Sequence, residues 1–397
     1  MTKILVFLLF LSVTVWMYWS LVLQRWRSRF LFLISLFFIA CFSVYYACYF
    51  LLNVAVVYIA GLLMHKHKSG KRRILQLLLL WLIGNLCLFK YGAVVHNALL
   101  KVGVRLSLPA LAEFTGIVLP LGISYIIFRL IHYIVEVYRG NVPKSSFVDF
   151  ALYVLFFPTF LAGPVERFQP FQSQTVGQND IDIFDMKYGV FRIVYGMVKK
   201  FIIADSLGRF IMPVLHSPQN YLRVLVILSI YGLAIRVYMD FAGYTDIAIG
   251  VSRLFGYKIM ENFNRPFFQK NVALFWRSWH ISVYSWIRDY FFLPIFGYRA
   301  SGIKIYLGIF VTMLVFMLWH RADLNFLVLG IYHGLGLVAW QLFQEAKRAF
   351  LGLRRLVCRK WLDPVSIFFT FSFVGFGFIF VILDMHTAVS VIQNIFS

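Results

Sequence analysis

Two histidines stand where imidazole chemistry is expensive to keep. His333 sits inside Gly330-Ile331-Tyr332-His333-Gly334-Leu335-Gly336, the middle of an apolar stretch, and residues 324–340 contain no other histidine and no acid. His280 closes Phe275-Trp276-Arg277-Ser278-Trp279-His280. Ionisable groups at membrane depth are costly and mark function unless a neighbour accounts for them. A buried imidazole stays neutral and able to accept a proton, which suits a general base. The matching chemistry is activation of a hydroxyl for attack on an activated acyl group. No Gly-x-Ser-x-Gly elbow or catalytic-cysteine context is present, so direct attack is simpler than an acyl-enzyme. Each histidine also has a structural reading: His280 as a hydrogen-bonded interfacial residue, His333 as a core residue held by a backbone carbonyl. A third, His320, ends Leu318-Trp319-His320 beside Arg321, Asp323 and Asn325, where a water-facing helix terminus needs no function.

Other polar residues group around these. Asp240-Phe241-Ala242-Gly243-Tyr244-Thr245-Asp246 lies between two apolar runs. Its carboxylates read either as an acid–base pair or as structure, Asp246 capping the following helix and Asp240 pairing with Arg236 four residues earlier. Glu261-Asn262-Phe263-Asn264-Arg265-Pro266 is turn-rich. Arg277, His280 and Tyr284 follow helical spacing and are expected on one face, with Arg288 and Asp289 a turn further on. Zinc is disfavoured, because these helices carry no i,i+4 ligand pair and no nearby thiolate. The four cysteines show neither metal nor disulfide spacing.

The elements that must position these groups are membrane helices. The 397 residues are 61% hydrophobic and 14% charged, with mean hydropathy +0.80; soluble domains run at about 45–50% and about 25%. Residues 4–23 carry no charge, long enough for about 30 Å of hydrocarbon, and are expected to be retained as a first helix rather than cleaved as a signal. Residues 30–64 are also uncharged and too long for one span, which predicts two helices turning near Tyr46–Cys48, or a span plus a buried helix. Further apolar segments fall near 74–92, 117–138, 147–162, 187–206, 221–239, 241–256, 273–292, 303–319, 324–344 and 365–383. Alternating strand patterns are absent, so the expected class is an all-α polytopic membrane protein of roughly a dozen helices in a single domain, 1–397. Pro158 and the polar stretch 163–187 predict a helix that enters partway and leaves on the same side, with a cavity near the break.

The net charge of +22 is concentrated between apolar segments: Arg25/Arg27/Arg29, Lys66/Lys68/Lys71/Arg72/Arg73, and Lys347/Arg348/Arg354/Arg355/Arg359/Lys360. That is the positive-inside pattern, which assigns these loops to the cytoplasm and to anionic membrane lipid, and no nucleic-acid module accompanies it.

In order along the chain, Leu119-Pro120-Leu121-Gly122-Ile123-Ser124-Tyr125, Phe157-Pro158 to Gly163-Pro164, the Asp240–Asp246 and Glu261–Pro266 stretches, Phe275 to Ser282, Arg288-Asp289-Tyr290 and Tyr332-His333-Gly334 resemble the membrane-bound O-acyltransferase (MBOAT) family, in its bacterial envelope branch. The resemblance runs from about residue 115 to 397 and reaches both the alginate O-acetylation type and the D-alanyl teichoic acid transfer type. It implies a ring of tilted or re-entrant helices around a central tunnel in the bacterial cytoplasmic membrane. His333 maps onto the family's central histidine and His280 onto its second, both catalytic, with Arg277, Asp289, Tyr284, Asn264, Asp246 and Asp240 as tunnel or substrate residues. It also implies an acetyl or D-alanyl group arriving as a thioester on acyl-CoA or on the phosphopantetheine of an acyl carrier protein. The group would leave on a hydroxyl of an extracytoplasmic polysaccharide or teichoic acid, directly or through a partner transferase. Relatives commonly have Trp-His-Gly where Trp319-His320-Arg321 stands, which leaves the role of His320 open. A transporter for an envelope glycan or lipid-linked precursor is the rival reading, since broken helices and a polar midplane also suit transport.

Overall fold

The computed structural model describes residues 2–67, 69–101, 122–161, 163–176, 182–297, 301–350, 352 and 359–397. Residues 119–121 of the first family motif, together with Lys68, Arg354, Arg355 and Cys358, lie outside them. The described residues are almost wholly helical, and six helices are long and apolar enough to cross a membrane: Val44–Lys66, Lys71–Gly92, Arg223–Leu254, Ile303–His320, Leu324–Ala349 and Lys360–Ile382. The protein is a multi-pass membrane protein. The chain divides into two compact units, Met1–Val194 with Thr245–Met260, and Tyr195–Tyr244 with Glu261–Ser397.

In the first unit, α1 (Thr2–Ser20) is followed by α2 (Arg27–Phe42), α3 (Val44–Lys66) and α4 (Lys71–Lys101). The expected turn in the long uncharged stretch falls at Ser43, three residues ahead of Tyr46. Its backbone is extended (φ −167°), and its side chain accepts from Tyr46 N–H, so a serine able to cap decides the break. Next come α5 (Ile123–Arg139), α6 (Phe147–Leu155), a single turn at Phe157–Phe160, and α7 (Phe168–Val176). The core here is aromatic. Tyr133, Phe150, Tyr153, Phe156, Phe168, Phe171 and Tyr257 are all buried and meet mostly edge-on, with centroids such as Tyr133–Phe168 at 5.1 Å.

The break at Pro158 is present, and protein satisfies its backbone. Arg129 of α5 is 1% exposed. It donates to the carbonyls of Tyr153, Val154, Thr159 and Pro164 at 3.0–3.4 Å and to Thr159 Oγ1 at 2.6 Å. Ser35 Oγ accepts from Phe157 N–H at 3.1 Å, and His132 Nε2 accepts from Phe168 N–H at 2.9 Å. Broken backbone survives in a membrane protein where protein or water satisfies it; here a guanidinium does most of that.

Helix α8 (Ile183–Met197) runs through a π-helical turn, Val198–Ala204, into α9 (Asp205–His216). The next element corrects an expectation: α10 (Arg223–Leu254) is one unbroken 32-residue helix across Asp240–Asp246. Gly243 serves close approach within this helix. A Cβ there would lie 2.7 Å from Gly196 O and 3.0 Å from Lys200 N.

The second unit continues with α11 (Val272–Ser278), capped by Asn271, and α12 (Ile281–Ile287), which passes into a π-helical turn at Arg288–Phe292. The apolar run 273–292 is therefore not one helix. Long helices α13 (Ile303–His320) and α14 (Leu324–Ala349) follow, the second capped by Asp323, whose carboxylate accepts from Phe326 N–H at 3.0 Å. Then come α15 (Asp363–Gly377) and α16 (Met385–Phe396).

Candidate active site

In the second unit, His280 stands at the break between α11 and α12. Trp279 pairs with Phe263 in an antiparallel bridge. Asn264 N–H donates to Ser278 O at 3.0 Å, and Ile281 N–H donates to Asn262 O at 2.9 Å. These bonds replace helical ones and let His280 take left-handed backbone (φ 49°), a conformation that costs about 1–2 kcal/mol for a non-glycine residue. The consequence is a correction. Arg277, His280 and Tyr284 do not share a helical face, because the chain turns between the first and the second.

His280 is 1% exposed. Its Nδ1 lies 3.3 Å from Asn262 Oδ1, which also accepts from Ser282 N–H at 3.2 Å and from Ser282 Oγ–H at 2.6 Å. The ring of Phe241 meets the imidazole edge-on at 4.7 Å, and the His320 ring is 6.2 Å away. His280 lies outside the six spanning helices. Burial holds its pKa well below the ordinary imidazole value, and the nearby His320 pushes the same way. It is therefore neutral at pH 7.

His320, the last residue of α13, is exposed, with Trp319 at 4.4 Å and Phe316 at 5.2 Å between ring centroids. Its terminal, solvent-accessible position is as expected; its closeness to His280 is not visible in a spacing of forty residues. His333, on α14, is 4% exposed and enclosed by Trp276 at 5.1 Å, Phe373 at 5.4 Å and Tyr332 at 5.4 Å. A Cβ on residue 377 would come within 2.9 Å of His333 Nε2, so Gly377 is what admits the ring. Four buried polar atoms here have no protein partner: His280 Nε2, Asn262 Nδ2, Trp276 Nε1 and His333 Nδ1. Orphaned buried groups are rare, and each marks a place where water or a ligand is expected.

The remaining candidates fall elsewhere. Arg277 is exposed on α11. Asp289 pairs with Arg288 at 2.7 Å in the π-helical turn. Asn264 is exposed, and its carbonyl accepts from Gln269. Tyr284 is half-buried on α12, its N–H donating to His280 O at 2.9 Å. The two aspartates of α10 are structural in their contacts: Asp240 pairs with Lys200 rather than Arg236, and Asp246 with Arg192 at 2.5 Å rather than capping. Six residues along one helix point to different faces, so each finds its own partner. Asn262 and Ser282, the residues that hold His280, are absent from the sequence-derived set. Asn262 lies two positions from Asn264 in the same motif, but nothing in the motif says which asparagine turns inward. Among the described residues no three His, Cys, Asp or Glu side chains converge as metal ligands do.

Comparison with known proteins places residues 70–379 in a match to the membrane-bound O-acyltransferase family. The chain is 33% identical over 318 residues to a "Probable alginate O-acetylase AlgI" of Pseudomonas syringae, covering 79% of this chain and 61% of that one. It is 31% identical over 268 residues to a teichoic acid D-alanyltransferase of Bacillus subtilis, covering 65% and 67%. It is 27% identical over 376 residues to a peptidoglycan O-acetyltransferase of Helicobacter pylori, covering 88% and 69%. Against the alginate O-acetylase relatives the matched region spans 51% to 67% of their length.

Proposed function

The chain belongs to the membrane-bound O-acyltransferase family, and on that premise we propose that it moves a short acyl group, acetyl or D-alanyl, from a cytoplasmic thioester to a hydroxyl of an extracytoplasmic envelope polymer. The donor is acyl-CoA or an acylated carrier protein, which the basic cytoplasmic loops would dock through an acidic surface. The acceptor is a polysaccharide, a teichoic acid or a related glycan, reached directly or through a partner transferase. The protein works in the bacterial cytoplasmic membrane.

The observation that carries the mechanism is the approach of His280 and His320 to 6.2 Å. In the reaction the acceptor oxygen attacks the thioester carbonyl carbon, its proton passes to an imidazole nitrogen, the C–S bond breaks, and the thiolate leaves with a proton. His320, the exposed member of the pair, takes the proton of the substrate hydroxyl; His280, buried and neutral beside it, supports the imidazolium that forms. This ranking differs from the sequence reading, which favours His333 as base. His333 keeps a second reading through its buried Nδ1, which has no protein partner. General acid–base catalysis contributes about 10²–10⁴-fold, so the variants separate the readings. Envelope polymers are analysed by mass spectrometry in cells carrying wild type, His320→Ala, His280→Ala or His333→Ala, with membrane insertion checked for each. Loss of at least about 100-fold in the first two is expected. Full acylation in both would sink the pair, and loss in His333→Ala alone would restore the sequence reading. A polymer displaced across the membrane but chemically unchanged by wild type would favour a transporter instead.

A further inference from the structure

We infer that Asn262 is a positioning residue that fixes the His280 imidazole as the Nδ1–H tautomer, leaving Nε2 unprotonated. The inference rests on the acyltransferase reading for its purpose, but its geometry stands apart from it.

A carboxamide has one acceptor end and one donor end. The backbone N–H of Ser282 can only donate, and it lies 3.2 Å from Asn262 Oδ1. Turning the amide over would set two donors against each other, so the oxygen is fixed at that position. The Ser282 hydroxyl donates to the same atom at 2.6 Å. With Oδ1 an acceptor, the hydrogen shared with His280 at 3.3 Å must come from Nδ1. A neutral imidazole carries one hydrogen, so Nε2 keeps its lone pair. That nitrogen is buried and has no protein partner.

The support is rigid. Asn262 is 0% exposed, and its own carbonyl accepts from Ile281 N–H at 2.9 Å. The neighbouring bridge between Phe263 and Trp279 holds the same two segments together. The asparagine's side chain and main chain thus hold His280 and the two residues that follow its left-handed turn, while Asn264 N–H holds Ser278 O before it. The groups facing the ring are the edge of Phe241 from α10, Ser282 from α12, and His320 from α13, the titratable one among them.

The choice of an amide has chemical meaning. A carboxylate at this position would accept the same three bonds, but its charge would favour imidazolium and protonate Nε2. An amide orients the ring without charging it. A residue that only filled space would have no such distinction to make.

The test uses full-length protein labelled with ¹⁵N-histidine in detergent micelles, with the His280 signals assigned by their loss in His280→Gln. In wild type at neutral pH the expected spectrum shows a protonated Nδ1 and a bare Nε2. Asn262→Asp, which is nearly isosteric, should retain that tautomer and raise the pH at which the ring gains its second proton by about one to three units. The acid limb of polymer acylation should move upward with it. Asn262→Leu should lose the tautomer preference and lower acylation about tenfold or more at every pH; if it fails to fold, Asn262→Asp carries the test alone. A wild-type His280 protonated at Nε2, or an Asn262→Asp titration that does not move, overturns the inference. The tautomer is read without any acyl donor. Absence of acyl transfer would therefore count against the proposed function and leave this inference to stand or fall on the spectrum.

Discussion

Each unit contains a broken helix with a buried histidine beside it, and the two are finished in opposite ways. In the first unit the break after Phe156 is closed: Arg129 reaches four carbonyls and a hydroxyl, His132 accepts a backbone N–H, and the Glu166 carboxylate accepts from Met260 N–H at 2.7 Å and Arg167 N–H at 3.0 Å. Arg129 Nε is the one atom of that guanidinium without a partner. In the second unit the break at His280 is stapled by its backbone while side-chain valences stay open at His280, Asn262, Trp276 and His333. A buried polar network satisfied throughout stabilises one structure; one that keeps open positions holds them at a cost of about 1–3 kcal/mol each. On the proposed function, the difference separates a polar group that builds the fold from one kept for a substrate.

The largest effect that would break this comparison is in the closed centre. Arg129→Leu leaves several buried carbonyls without donors, at about 1–3 kcal/mol for each group not rescued by water. A fall in the thermal transition of the detergent-purified protein is expected, with acylation lost only in proportion to folded protein. If Arg129→Leu folded normally yet abolished acylation, the first unit's centre would belong to catalysis. Next in size is Gly377→Ala, which would set a methyl 2.9 Å from His333 Nε2 and 3.2 Å from Leu329 Cδ1. Overpacking of this kind costs about 1–3 kcal/mol. With His280 and His320 as the working pair, acylation per folded molecule should be unchanged. A fall of about tenfold or more in a protein of normal thermal stability would return the base to His333.

How legible this was in the sequence varies with the range of the interaction. Membrane class and the break at Pro158 come from composition and one residue's stereochemistry, which act locally. The turn in the long uncharged stretch, expected near Tyr46–Cys48, falls three residues earlier at Ser43, because that serine's side chain caps the next helix. Medium-range readings failed in two places. The stretch Asp240–Asp246 is expected between two helices and lies within one, α10, where Gly243 admits close contact. The spacing of Arg277, His280 and Tyr284 is helical, but a bridge to Phe263 overrides it. The site itself depends on contacts across 18 and 40 residues, Asn262 with His280 and His280 with His320. Neither has a periodic signature, so the motif containing Asn262 could be recognised while its inward-facing member could not.

The smallest effect concerns protons. His280 is held below its ordinary pKa of about 6.5 by burial and by His320. Below that pH an unfolded chain binds a proton that the folded ring refuses, so stability rises with pH in this window. The contribution is therefore fully present above about pH 6.5 and is lost as pH falls toward the depressed folded value, at no more than about 1.4 kcal/mol per pH unit for one proton. Two carboxyls confuse a simple profile. Asp384, lowered by its bonds from Thr387, loses its contribution only below about its ordinary 3.8, whereas burial raises Glu166, which gains stability on acidification. Comparing wild type with His280→Asn removes both, and asparagine tolerates the left-handed backbone found here. Between pH 7.5 and 5.5 the thermal transition of wild type should fall further than that of the variant. Equal slopes would mean that His280 takes up its proton freely, and the neutral, oriented imidazole that sets this unit apart from the closed centre of the other would be lost.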